Sequence, residues 1–152
     1  MAVTLEQVRG VLSPDEVDYA EALKLGPDAL PHLETLVEGG ALHLAAKAAY
    51  LAGLIQDERS AAVLSKAARS PQLPVRLAAA STARNLSRPS VNRVLLELVG
   101  DGDHVVRREA LKSVTLEPTP ELRARIEAVS RDDALPDIRD LAAQTLRRRN
   151  PR

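Results

Sequence analysis

LHLAAKAAYLAG (42–53), VRLAAASTARNL (75–86), VRREALKSVTLE (106–117) and IRDLAAQTLRRR (138–149) are four versions of one phrase. Their starts, at positions 42, 75, 106 and 138, recur at a nearly constant interval. Each opens on Leu, Val or Ile. Four residues on stands alanine (Ala46, Ala79, Ala110, Ala142), and seven on a small residue (Ala49, Thr82, Ser113, Thr145). Positions i, i+4 and i+7 share one face of an α-helix. Alanine on that face lets two helices approach closely. The second position reads His43, Arg76, Arg107, Arg139.

Each phrase follows another amphipathic stretch, beginning near Asp28, Arg59, Ser90 and Pro120. In SVNRVLLELVGD (90–101), Val91, Val94, Leu95, Leu98 and Val99 fall at i, i+3, i+4, i+7 and i+8, a helical stripe with no strand alternation. Breakers punctuate the chain at Ser13-Pro14, Gly26-Pro27, Gly39-Gly40, Ser70-Pro71, Pro89, Gly100 to Gly102, Pro118, Pro120 and Pro136. Ser13-Pro14 with Glu16 reads as an N-cap before a helix. The pattern predicts about ten short helices in pairs, an all-α solenoid.

The totals agree with one domain over 1–152. Acidic and basic side chains balance at 21 each, so no global field favours nucleic acid or anionic lipid. The halves differ: residues 1–75 carry 10 Asp/Glu against 6 Lys/Arg, and residues 76–152 carry 11 against 15. Cysteine is absent, which removes disulfides and thiolate chemistry. No signal pattern opens the chain and no apolar run is long enough for a membrane span, so a cytoplasmic protein is expected. With only Tyr19 and Tyr50 as aromatics, the core is expected to be Ala, Leu and Val.

The V-R-x-x-A phrases, with LGPDALPHLETLV (25–37) opening a first helix, resemble HEAT repeats of the short bacterial kind. The resemblance covers positions 27–149 as four repeats of about 31–33 residues each. Positions 3–26 read as a degenerate capping pair. The resemblance implies a right-handed α-α superhelix whose second helices line a concave binding surface. It also implies a ladder between repeats, in which a turn aspartate pairs with the arginine. Asp101 with Arg107 and Asp133 with Arg139 match that pattern at a spacing of six; Ser70 before Arg76 and Val37 before His43 do not.

Arg108 sits about 100° further round its helix than Arg107. It shares a face with Lys112 and Thr115, and the same offsets elsewhere give Leu44, Ala48, Leu51; Leu77, Ser81, Arg84; and Asp140, Gln144, Arg147. This stripe reads as a groove, apolar at Leu44, Leu51 and Leu77 and basic at Arg84, Arg108, Lys112 and Arg147, extended by Arg88 and Arg148. Arg107 then holds the fold and Arg108 meets the partner. The competing reading is an ordinary solvated face with a buried helix over 41–55, and the sequence leaves both open.

Catalysis has little to stand on: there is no phosphate loop, no nucleophile motif and no metal-ligand spacing. The histidines (His32, His43, His104) read as surface or packing residues. The HEAT-like deoxyhypusine hydroxylases use His-Glu dipeptides, which this chain lacks, and it resembles the bilin lyase type only through the repeat. HEAT-like DNA glycosylases use aromatics, and two tyrosines are poor material for that. The expected function is a non-enzymatic scaffold binding a protein or peptide with apolar and acidic features, without cofactor or metal. The alternatives are a non-catalytic subunit of a larger enzyme or assembly, or a nucleic-acid module using Arg84, Arg88, Arg108, Lys112, Arg147, Arg148 and Arg149.

Overall fold

Helix starts follow local chemistry in the computed structural model, which describes residues 2–39 and 41–148. Gly40 and Arg149, both singled out above, lie outside the described residues. Thr4 opens α1 (Leu5–Leu12) with a reciprocal capping box: the Gln7 amide donates to Thr4 Oγ1 at 3.1 Å, and the Thr4 amide to Gln7 Oε1 at 2.9 Å. Ser13-Pro14 does not start a helix. Ser13 instead closes α1, its hydroxyl donating to the Arg9 carbonyl, and α2 (Tyr19–Ala22) begins behind Asp18, whose carboxylate accepts from the Glu21 amide. Gly26, at φ 73°, supplies the left-handed residue that stops the cap before Pro27.

The remaining helices come in pairs: α3 (Leu30–Gly39) with α4 (Leu42–Leu54), α5 (Ser60–Ala68) with α6 (Leu73–Thr82), α7 (Arg88–Leu98) with α8 (His104–Lys112), and α9 (Pro120–Asp132) with α10 (Pro136–Arg148). First helices α3, α5, α7 and α9 pack in succession into one layer, and second helices α4, α6, α8 and α10 into the other. No strand occurs among the described residues. One continuous apolar core runs from Val8 to Ala142, and its largest fully buried side chains are all Leu or Ile. The architecture is an α-solenoid.

Helix starts at Leu42, Leu73, His104 and Pro136 set the true repeat, in more even steps than the phrases themselves. The first phrase therefore begins at Leu44, two residues later than the alanine alignment places it. Leu44, Ala48 and Leu51 are the counterparts of Val75, Ala79 and Thr82, of Val106, Ala110 and Ser113, and of Ile138, Ala142 and Thr145. All twelve are buried. Alanines at 41, 45, 46, 48, 49 and 52 fit either register, which is why composition alone could not choose. Gly53 on α4 lies directly against Thr82 on α6: a Cβ there would stand 1.9 Å from Thr82 Oγ1 and 2.3 Å from its Cβ. Only glycine fits there.

The arginine ladder exists but runs between different partners. Arg76 Nε and Nη2 donate to Asp101 at 2.9 and 3.3 Å, and Arg107 Nε and Nη2 to Asp133 at 2.6 and 3.1 Å. Each arginine thus reaches the turn aspartate of the following repeat, in a fork-to-fork pair. The residue six positions back contributes its carbonyl instead: Ser70 to Arg76, Asp101 to Arg107 and Asp133 to Arg139. Arg107 does not pair with the Asp101 carboxylate, nor Arg139 with that of Asp133. Arg76, which lacked an acid in its own turn, is the first rung. Each rung aspartate also accepts an amide two residues on, from Asp103 or Leu135, so its own turn holds it in place.

The first-helix layer is also tied from repeat to repeat. Lys66 on α5 pairs with Glu34 and Glu38 on α3, Arg69 with Glu97 on α7, and Arg125 on α9 donates to the Leu96 carbonyl. These pairs are solvent-exposed and add little individually.

Candidate docking groove on the second helices

With the register corrected, the accessible face of the second helices carries two parallel columns. One is Tyr19, Tyr50, Ser81, Lys112 and Gln144; the other is Ala46, Leu77, Arg108 and Asp140. Each column takes one residue from each successive repeat. None of these side chains is buried.

At the N-terminal end the columns enclose a shallow hollow of about 290 Å³, lined chiefly by Tyr19, Ala46, Tyr50, Pro74, Leu77 and Ser81. Tyr19 and Tyr50 lie with ring centroids 4.8 Å apart and planes tilted by 58°, a favourable aromatic geometry. Both rings remain half-buried rather than covered. Burial, and then the neighbouring Tyr50, hold the Tyr19 phenol above its ordinary pKa, so it stays a neutral hydroxyl. Lys47 fixes the wall by donating to the Pro14 carbonyl at 2.7 Å, which anchors the 13–18 turn against α4. His32 Nε2, 2.8 Å from the Val3 carbonyl, pins the N-terminal segment to α3 in a structural role.

Two residues expected to line the apolar part of the groove do not. Leu51 is fully buried and Leu44 is 8% exposed, because both point into the helix–helix interface. Leu77 does line it. Sequence reasoning missed Tyr19 and Tyr50 as site residues. The signal was present, since positions 19, 50, 81 and 112 are evenly spaced at the period of the repeat.

The basic part is narrower and more neutral than the stripe suggests. Arg108, 30% exposed, donates from Nη2 to Asp137 at 2.8 Å, and Lys112 lies 3.8 Å from Glu109. The Arg108 guanidinium in turn holds the Asp137 carboxyl below the usual carboxylate range. Arg108 therefore ties repeats together as well as facing the groove. Arg84 falls in a 3-10 turn (Ala83–Asn85) after α6, and Arg88 opens α7, so neither shares the second-helix face with Arg108. Arg147 and Arg148 are exposed in the last turn of α10. Among the described residues these last four side chains form no ion pair.

Among the described residues no three His, Asp or Glu side chains gather as a metal site, and no helix is long and apolar enough to cross a membrane. No family model matches the sequence, and no curated protein matches it. A solved structure does. The chain superposes on a chain from the complex of CpcE and CpcF of phycocyanin lyase from Nostoc sp. PCC7120 with a TM-score of 0.73 at 19% identity. The match covers 93% of this chain and 97% of the other. At that identity the likeness is one of fold: both are stacks of helical repeats.

Proposed function

We propose that this chain is a HEAT-type binding module that holds a segment of another protein in the second-helix groove, as a non-catalytic member of a larger assembly. One observation carries the reading. A chain that builds its whole core from aliphatic side chains places both of its aromatic residues together, half-exposed, in a single surface hollow. Paired tyrosines left uncovered beside Leu77 are the kind of anchor that protein interfaces favour, being large, rigid and amphipathic. The similarity to a structure of a two-protein complex supports a role in assembly.

The charges select the kind of segment. Apolar or aromatic side chains would fill the Tyr19–Tyr50–Leu77 end. Further along, Arg108 and Lys112 can take a carboxylate only in competition with Asp137 and Glu109, so acidic residues add register more than affinity. The same neutralisation, with Asp140 next in the column, weighs against a nucleic-acid track.

The test is affinity capture from native lysate with the wild type, Tyr50→Ala, Leu77→Glu and Arg93→Glu, the last an exposed change on α7 in the other layer. A partner retained by wild type and Arg93→Glu but lost from the two groove variants supports the reading. Loss of a buried tyrosine contact of about 2 kcal/mol corresponds to roughly 30-fold in Kd. Identical partner lists from all four proteins would remove the hollow from consideration. Nucleic acid eluting with the wild type and absent from an Arg108→Glu/Lys112→Glu variant run beside them would replace this reading with the other.

A further inference from the structure

The ladder has an open rung. Within the chain each ladder arginine spends Nη1 on the carbonyl of its own turn, 3.0 Å to Ser70, 3.0 Å to Asp101 and 2.5 Å to Asp133. That bond aims the Nε–Nη2 edge at the next repeat. For Arg76 and Arg107 this edge meets a carboxylate. For Arg139, on α10, it meets no partner among the described residues. The guanidinium is held in place, half-buried and near enough to Asp133 to act on its carboxylate, and its Nε–Nη2 edge takes no hydrogen-bond partner among the described residues.

The apolar surroundings repeat the same interruption. Leu98 and Leu111 are fully buried and Val114 is 3% exposed, in the α7–α8 pair against which α9 and α10 pack. Their counterparts one repeat on, Val129, Ala143 and Leu146, are only half-buried. The α9–α10 end thus presents what the α7–α8 pair presents to α9–α10: an aliphatic strip beside an aimed arginine fork.

We propose that the α9–α10 face, left open by the described residues, is a repeat–repeat interface that docks the terminal helix pair of a partner protein whose turn supplies an aspartate to Arg139. The two filled rungs define that aspartate. It lies in the turn between the partner's helices and accepts an amide two residues on, as Asp101 and Asp133 do. Charge complementarity and continuity with the interface already present three times in the chain identify the occupant as another helical repeat. A second copy stacked head to tail meets the requirement poorly. The pair it would present is α1 with the four-residue α2; in the turn between them Asp18 accepts an amide three residues on, as a helix cap, and Asp15 makes no amide bond among the described residues. This inference does not depend on the groove; either surface can fail alone.

The experiment is site-specific photo-crosslinking in the native cell, with a benzophenone amino acid at Ala143 and, as control, at Gln7 on α1. It is run on the wild-type background, on Arg139→Glu and on Leu146→Glu. The expected result is a heterologous partner crosslinked from position 143 and not from position 7. Its crosslinked peptide should lie in a helix–turn–helix with an aspartate in the turn, and its yield should fall at least about tenfold in Arg139→Glu. Circular dichroism and melting of the purified variants separate loss of contact from loss of fold, and Leu146→Glu serves if Arg139→Glu does not fold. No crosslink from position 143, a crosslink to another copy of this chain, or a yield indifferent to both variants overturns the proposal.

Discussion

The second rung is the most sensitive point at which to test the ladder. Arg107 and Asp133 have side chains only 16% and 4% exposed and are joined by two hydrogen bonds. Asp133→Ala leaves a largely buried guanidinium with the Asp101 carbonyl alone and frees the Leu135 amide. Breaking one side of a buried pair costs about 3–5 kcal/mol, and the residual exposure of Arg107 places this case near about 3. Arg107→Ala should cost a similar amount, since Asp133 would keep only the Leu135 amide. If the pair contributes a coupling of about 2 kcal/mol, the double variant loses about 4 rather than the roughly 6 of independent sites. Urea unfolding followed by circular dichroism measures all four proteins. For a chain of this size, each single variant should melt roughly 6–12 °C below wild type. A double variant additive to within about 0.5 kcal/mol would refute the rung.

Acid supplies a second readout of the same pair. The hydrogen bonds from Arg107 hold the Asp133 carboxyl below its ordinary value. Its folded pKa is thus depressed, so its contribution is complete above the unfolded pKa of about 4 and is lost as pH falls through the folded one. Wild type should lose stability below about pH 4 more steeply than Asp133→Asn, which has no carboxyl to protonate.

Two further outcomes follow from packing. Gly53→Ala gains helix propensity of up to about 1 kcal/mol but drives a methyl into Thr82, an overpacking cost of about 1–3 kcal/mol that should win because Thr82 Cβ, 2.3 Å away, cannot rotate out of the way as Oγ1 can. A melting temperature at or above wild type would show that the α4–α6 crossing is looser than described, whereas Gly53→Ala/Thr82→Gly should recover part of the loss. Deleting residues 119–152 removes α9 and α10, unpairs Arg107 and bares the side of α7–α8 that Leu122 and Ile126 cover; the product should aggregate, and a soluble chain of unchanged stability, by light scattering and thermal melting, would contradict the stacking.

The solenoid was legible because Ala79, Ala110 and Ala142 recur with Val or Ile four residues before them, and only closely packed helix pairs need that combination. The first phrase was misplaced because α4 is apolar on most sides and offers no polar face to fix its rotation. The ladder was half legible: a spacing of six finds the carbonyl bonded to each arginine, but a local spacing cannot say which repeat supplies a carboxylate lying 25 or 26 residues away. Arg108 looked free for the related reason that Asp137 is 29 residues distant in sequence. The tyrosine pair was hidden by the irregular second helix of the cap, where Tyr19 opens a four-residue helix while its counterparts close or lie inside longer ones.

The Tyr19–Tyr50 pair has a practical consequence as well. The chain contains no tryptophan, phenylalanine or cysteine, so these two rings are its only near-ultraviolet chromophores. The dichroism of their coupled transitions is a built-in, label-free optical reporter confined to one hollow. A ligand entering the groove changes the contribution of these rings, whereas a protein stacking on α10 gives a spectrum equal to the sum of the two separate proteins.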